Sequence, residues 1–119
     1  MRTVLVIEDY PELRGMIAKL LERQRFSVAQ AADGAEAMMA LRNQDFDLVV
    51  TDLALPGMSG LQLLRQLKYL RPHARVIAMS GVSVNHLQAA KAAGASEILR
   101  KPFTQQQMMD AINRLLPNA

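Results

Sequence analysis

DLVVTDLALPGMSG, residues 47–60, decides how this chain folds. Leu48, Val49 and Val50 make a continuous apolar run, which suits a strand buried on both faces. Pro56, Gly57 and Gly60 break that run into a turn. The strand, read as Asp47 to Thr51, delivers one carboxylate, Asp52, to the edge of a core. Taken alone, that position describes an ordinary turn aspartate. Three further chain positions change its meaning. The acidic pair Glu8–Asp9 follows the apolar TVLVI of Thr3 to Ile7. The hydroxyl of Ser80 follows the run from Arg75 to Met79. Lys101–Pro102 follows the short run from Glu97 to Arg100.

Working outward, apolar runs alternate with amphipathic helical patterns five times. After the first strand, Leu13, Met16, Ile17, Leu20 and Leu21 recur at helical spacing, with Pro11 and Glu12 in favoured first-turn positions. Phe26 to Ala31 reads as the second strand, Asp33–Gly34 as a turn, and Ala35 to Asn43 as a helix. Ser59 suits the N-cap of a third helix marked by Leu61, Leu64 and Leu67, which ends before Pro72. Ser83 or Asn85 caps a fourth helix that Gly94 closes. Met108, Ala111, Ile112 and Leu115 give the last helix its buried stripe. Strict alternation of this kind implies an α/β fold: a parallel sheet covered on both faces, with right-handed crossovers. No linker or internal repeat interrupts residues 1–119, which read as one domain.

Composition narrows the function classes. The 119 residues are half hydrophobic, enough for one core and too few for two. Cysteine is absent, which removes disulfides and thiolate metal sites and agrees with a cytoplasmic location. No run of about 18 apolar residues exists to span a membrane, and the first residues read as strand rather than signal peptide. The formal charge of +3 is spread along the chain. Arg65, Lys68, Arg71 and Arg75 come nearest to a cluster and read as a solvated helix face, because a nucleic-acid surface wants aromatic residues among its charges and only Tyr69 falls there. Eight methionines read chiefly as core filling, with Met108 and Met109 as an alternative contact surface.

In open parallel sheets, sites form beyond the carboxyl ends of the strands. If the first strand lies beside the third, Glu8 and Asp9 converge on Asp52. Three carboxylates together repel one another and raise each other's pKa, and a hard cation resolves the conflict. Oxygen ligands without His or Cys suit Mg²⁺ or Mn²⁺. His86 lacks companion ligands and is not read as one. Lys101 adds a charge of opposite sign, and the set suits phosphoryl transfer to Asp52 with Ser80 donating to the product. Each piece also has a structural reading: an acidic helix start for Glu8–Asp9, a turn for Ser80–Gly81, a loop for Lys101–Pro102.

Four segments, VLVIEDY (4–10), DLALPGMSG (52–60), VIAMSG (76–81) and AGASEILRKPF (93–103), resemble the CheY-like receiver domain of two-component response regulators. The likeness covers the whole chain. It implies a doubly wound, five-stranded (βα)5 flavodoxin-like sheet of order 2-1-3-4-5. It also implies that Asp52 accepts a phosphoryl group from a sensor histidine kinase or phosphotransfer protein. Glu8, Asp9, Asp52 and the backbone carbonyl of Ala54 match the metal ligands. Ser80 matches the switch hydroxyl and Lys101 the phosphoryl-contacting lysine, and a cis bond before Pro102 aims that lysine inward. The domain is then a switch that catalyses only its own phosphorylation and slow dephosphorylation. Its readout face would combine the fourth helix, fifth strand and fifth helix, with His86, Leu87, Ala90, Glu97, Ile98 and Met108 as candidates. Partners would be a kinase and a downstream protein or output domain, including a DNA-binding domain outside this chain, with no membrane. The regulator would be a monomer or a phosphorylation-dependent homodimer, and either stands alone or belongs to a longer protein.

Three departures from the family pattern stand out. The switch aromatic, three residues before the lysine, is Ile98. Ala54 and Val82, two residues after Asp52 and Ser80, cannot hydrogen-bond a hydrolytic water through their side chains, which predicts slow loss of phosphate. Ala111 stands where an arginine serves one family branch as part of a charged dimer face. Two other classes fit less well. A haloacid-dehalogenase-type phosphohydrolase carries its nucleophile in a DxD pattern on the first strand, which here ends EDY. An FMN carrier needs a phosphate loop there, and Glu8 and Asp9 would repel the phosphate.

Overall fold

The five apolar runs form five parallel strands: β1 (Thr3–Ile7), β2 (Ser27–Ala31), β3 (Leu48–Asp52), β4 (Arg75–Ser80) and β5 (Glu97–Arg100). They alternate with helices α1 (Pro11–Arg23), α2 (Gly34–Asn43), α3 (Gly60–Leu70), α4 (Val84–Ala92) and α5 (Gln105–Leu115). The structure is a computed structural model that describes residues 2–81 and 84–117, apart from the Val84 side chain. The expected positions Val82 and Ser83 lie outside the described residues.

The sheet order is β2-β1-β3-β4-β5, the doubly wound order the resemblance implied. Side-chain alternation explains why its strands are apolar throughout. Along β1, Leu5 and Ile7 enter a core that includes Leu41, Val49, Leu63 and Leu67, while Val4 and Val6 enter a second core with Ile17, Leu21, Met108 and Ile112. Both faces are therefore covered, α2 to α4 on one side and α1 with α5 on the other. Burying a Leu, Ile or Val side chain is worth about 1.5–3 kcal/mol, so the two cores hold the strand ends where they lie.

The connections behave as their residues dictate. Asp33 caps α2 by accepting from the Glu36 amide at 2.8 Å. Ser59 and Gln62 form a reciprocal capping box on α3, and Thr104 and Gln107 form another on α5. Gly94 ends the α4 segment at φ +117°, a left-handed conformation that favours glycine.

Several local expectations shift. Asp47 precedes β3 and Asp52 is its last residue, one position later than read. Asn85 lies inside α4 rather than at its cap. On α1 the buried stripe is Ile17, Ala18 and Leu21, with Leu13 and Leu20 half-buried; Met16 is 48% exposed, because the stripe facing the sheet centres one position further on. On α5, Leu115 is half-buried and Leu116, just past the helix, is buried.

Candidate functional site at the carboxyl edge of the sheet

Parallel pairing of β1 with β3 sets Ile7 against Thr51, so the residues that follow emerge side by side. Glu8, Asp9 and Asp52 each offer a carboxylate oxygen, and these oxygens all lie within 4.8 Å of one another. No other such group of potential metal ligands occurs among the described residues, and His86 belongs to none. Glu8 and Asp52 are buried, whereas Asp9 is exposed, so the cluster is walled by the core and open on one side.

Lys101 comes from the far edge of the sheet. Its ammonium donates to Glu8 Oε1 at 2.6 Å and to Asp52 Oδ2 at 2.8 Å. Its backbone N–H donates to the Ser80 carbonyl at 2.8 Å, which ties the β5 exit to the end of β4. The Lys101–Pro102 peptide is cis, as the resemblance implied. Ser80 is fully buried at the end of β4. Asp52 Oδ1 accepts from the Ala54 amide at 3.1 Å. The loop that carries Ala54 is closed by the Gly60 amide, which donates to the Leu53 carbonyl at 3.1 Å. That approach is so close that a Cβ on Gly60 would collide with the Leu53 backbone. Gly57 completes the turn at φ +79°.

Burial pushes the Glu8 carboxyl above its ordinary 4.5. The bonds from Lys101 and from the Tyr10 amide pull it back only in part, and the charge of Asp52 and contact with Asp9 push it further up. For Lys101, burial works downward, but the hydrogen bonds and charges of Asp52 and Glu8 outweigh it and hold its pKa above the usual 10.5. The cluster thus holds more negative charge than one ammonium balances. All-oxygen donors, an open side and an excess of anionic charge fit a small hard cation.

Two supports were not foreseen. Arg14 Nη1 donates to the Glu8 carbonyl at 2.9 Å while its Nε donates to Gln30 at 3.2 Å. The Tyr10 amide donates to Glu8 Oε2 at 3.2 Å. Arginine in a first helical turn after an acidic pair is the only trace these leave in the sequence.

The expected readout residues divide. Leu87, Ala90 and Met108 are buried and belong to the cores, so they are not surface contacts; Met108 fills the α5 interface and Met109 is half-buried beside it. His86, Glu97 and Ile98 remain partly accessible, and Glu97 pairs with Arg114 at 2.7 Å. The basic residues near α3 do not act as one patch. Lys68 donates to the Pro72 and Ala74 carbonyls, and Arg71 pairs with Asp45 at 2.9 Å.

Comparison with known proteins agrees with this geometry. Chemotaxis protein CheY of Bacillus subtilis is 32% identical over 115 residues, covering 95% of this chain and 96% of that protein. The "Probable transcriptional regulatory protein TcrX" of Mycobacterium tuberculosis is 34% identical over 96% of this chain, which spans only 49% of that protein's length. A crystal structure of a Burkholderia pseudomallei response regulator, with a phosphorylated aspartic acid, calcium ion and citrate, superimposes with a TM-score of 0.87 at 32% identity, over 93% of this chain and 66% of that one. The family model for the response regulator receiver domain matches residues 4–113, from the second residue of β1 into α5. A match that reaches all five strands and includes every charged strand end means that this chain belongs to the response regulator receiver domain family.

Proposed function

We propose that the chain is a phosphorylation-controlled switch in which Asp52 accepts a phosphoryl group from the phosphohistidine of a sensor kinase or phosphotransfer protein. The observation that carries this reading is the meeting of Glu8, Asp9, Asp52 and Lys101 at one sheet edge. Glu8, Asp9 and Asp52, with the backbone carbonyl of Ala54, would hold Mg²⁺ or Mn²⁺, which when bound neutralises charge on the transferring phosphoryl oxygens.

In this reading an Asp52 carboxylate oxygen attacks phosphorus in line. The new O–P bond forms as the N–P bond to the donor imidazole breaks, and the imidazole nitrogen keeps the electron pair. Lys101 exchanges a carboxylate partner for a phosphoryl oxygen, and the Ser80 hydroxyl donates to another. Moving a two-state domain from about 1:99 to 99:1 needs roughly 5.5 kcal/mol of differential stabilisation. A hydrogen bond from Ser80 to a charged acceptor contributes about 1.5–3 kcal/mol, so the Lys101 pairing and the cation must supply the remainder. Ile98 packs against the core beside α4 and offers an aliphatic rather than an aromatic relay. The surface of α4, β5 and α5 then reports the change to a downstream protein or to an output domain such as a DNA-binding domain, as a monomer or a phosphorylation-dependent homodimer.

A cytoplasmic location belongs to the same reading. Among the described residues no helix is long and apolar enough to cross a membrane. Ala54 and Val82 offer no polar side chain to orient a hydrolytic water, so the acyl phosphate is expected to outlast seconds; loss within seconds without a phosphatase would contradict that. Incubation with a small acyl-phosphate donor and Mg²⁺, read by intact mass, tests the main reading. A gain of one phosphoryl group that Asp52→Asn abolishes supports it. Steady turnover of a phosphate ester without a lasting adduct would favour a phosphohydrolase instead.

A further inference from the structure

The flank formed by α2 and α3 carries a second feature, one that the acidic cluster does not use. Between α2 and α3 lies an open groove of about 340 Å³, with the buried Met38 and half-buried Leu70 at its base and the exposed Arg42, Arg65, Gln66 and Tyr69 around it. Tyr69 is 86% exposed, the most exposed large hydrophobic side chain among the described residues. Apolar surface of this kind, rimmed by charge, marks an interaction site more often than a scattered Met or Tyr does.

The rim fixes the sign of the partner. Among the described residues, neither the Arg42 nor the Arg65 guanidinium has a carboxylate partner or a side-chain hydrogen bond, whereas the neighbouring Arg71 is paired with Asp45. No acidic residue lines the groove. The nearest carboxylate on α2, Glu36, sits in its first turn and accepts from the Ala32 amide. A second copy of the chain docked by a two-fold axis would set these arginines against each other, which like-charge repulsion disfavours. Single-stranded nucleic acid would want a basic track with several stacking rings, and one tyrosine with two arginines over an aliphatic floor does not supply it.

We propose that the α2–α3 groove docks an acidic amphipathic helix of a partner protein, with one or two large apolar side chains seated between Met38, Leu70 and Tyr69 and its carboxylates paired to Arg42 and Arg65. Helix-in-groove recognition uses anchors on one face and leaves charge at the rim, as this surface does. Helices run back from the carboxyl ends of the strands, and the 11 residues of α3 span about 16 Å. A helix docked there leaves Asp52 accessible, so a tethered partner and a phosphodonor can engage the domain together. The docking does not depend on the phosphorylation chemistry.

A labelled, side-chain-stapled helix of about 15 residues, with leucines at i, i+3, i+4 and i+7, three or four glutamates flanking them and alanines elsewhere, is a direct probe. Its titration into the isotopically labelled chain, followed by amide shifts and fluorescence anisotropy, is expected to perturb Met38, Arg42, Arg65 and Tyr69. Tyr69→Ala should weaken binding about tenfold, and Arg42→Glu combined with Arg65→Glu by at least as much, with the salt dependence reversed in sign. These side chains are exposed, and melting curves check that the variants fold. The proposal is overturned if the glutamate helix binds no better than a lysine counterpart, or if its shifts map to another face. Tighter binding of an oligothymidylate, or sedimentation showing self-association that the arginine substitutions abolish, overturns it as well.

Discussion

One strand carries an aspartate at each end, and the two have nothing in common beyond residue type. Asp47, before β3, is exposed and accepts from the Thr3 amide at 2.8 Å, pinning the entry of β1. Asp52, closing β3, is 4% exposed and shares Lys101 with the buried Glu8. The amino-terminal edge of the sheet uses its charges in water, where Asp45 of the Arg71 pair is 86% exposed and contributes little. The carboxyl edge confines two carboxylates and one ammonium in a desolvated corner, where each depends on the others. Charge placed against hydrophobic burial, rather than charge itself, distinguishes a site from a surface.

The sharpest way to break that contrast is to remove the shared ammonium. Lys101→Ala leaves Glu8 and Asp52 buried without a cation, and metal-free unfolding in urea should lose about 3 kcal/mol, much of it restored by millimolar Mg²⁺. An equal loss with and without Mg²⁺ would show that the carboxylates do not form one site. The reverse change sharpens the contrast. Glu8→Gln removes a carboxylate that burial disfavours, so metal-free stability should rise by about 1 kcal/mol while the Mg²⁺ effect weakens. At the other edge, Asp47→Ala deletes a hydrogen bond to the Thr3 amide at a cost of about 1 kcal/mol, without altering Mg²⁺ dependence. Asp45→Ala should fall within about 0.5 kcal/mol.

The pH dependence follows from the same corner. Because the Glu8 pKa is raised in the fold, the folded state holds its proton more tightly than the unfolded chain does. Metal-free stability from this group is therefore greatest at low pH and falls as pH rises from 4.5 through the raised value. The Glu8→Gln curve should diverge upward from wild type across that window, and parallel curves would contradict the assignment. Lys101, with its pKa raised, contributes fully below 10.5 and loses its contribution as pH climbs through the folded value.

Much of this was legible in the chain. The β5 bounds, the Ser59 cap and the turn at Gly57 come directly from apolar run length and turn chemistry. Helical spacing located the buried side of α1 but not its centre, since spacing cannot distinguish Met16 from Ala18 when both neighbour Ile17. Burial of Leu87, Ala90 and Met108 depends on how α4 and α5 settle on the sheet, a tertiary matter that no local pattern encodes. Asp47 and Asp52 flank one apolar run; the parallel sense read from strand–helix alternation puts Asp52 at the edge where Glu8 and Lys101 emerge, and the strand order, which came from the resemblance, sets which of them are neighbours. The Arg14 and Tyr10 contacts to Glu8 depend on how the turn between β1 and α1 settles, which is likewise invisible before folding.

The most direct measurement is intact mass with peptide mapping after reaction with an acyl-phosphate donor, with and without Mg²⁺, on wild type, Asp52→Asn and Asp47→Asn. A Mg²⁺-dependent gain of one phosphoryl group mapping to Asp52, lost in Asp52→Asn and retained in Asp47→Asn, is the expected result. An adduct on another residue, or none under any condition, would contradict the account.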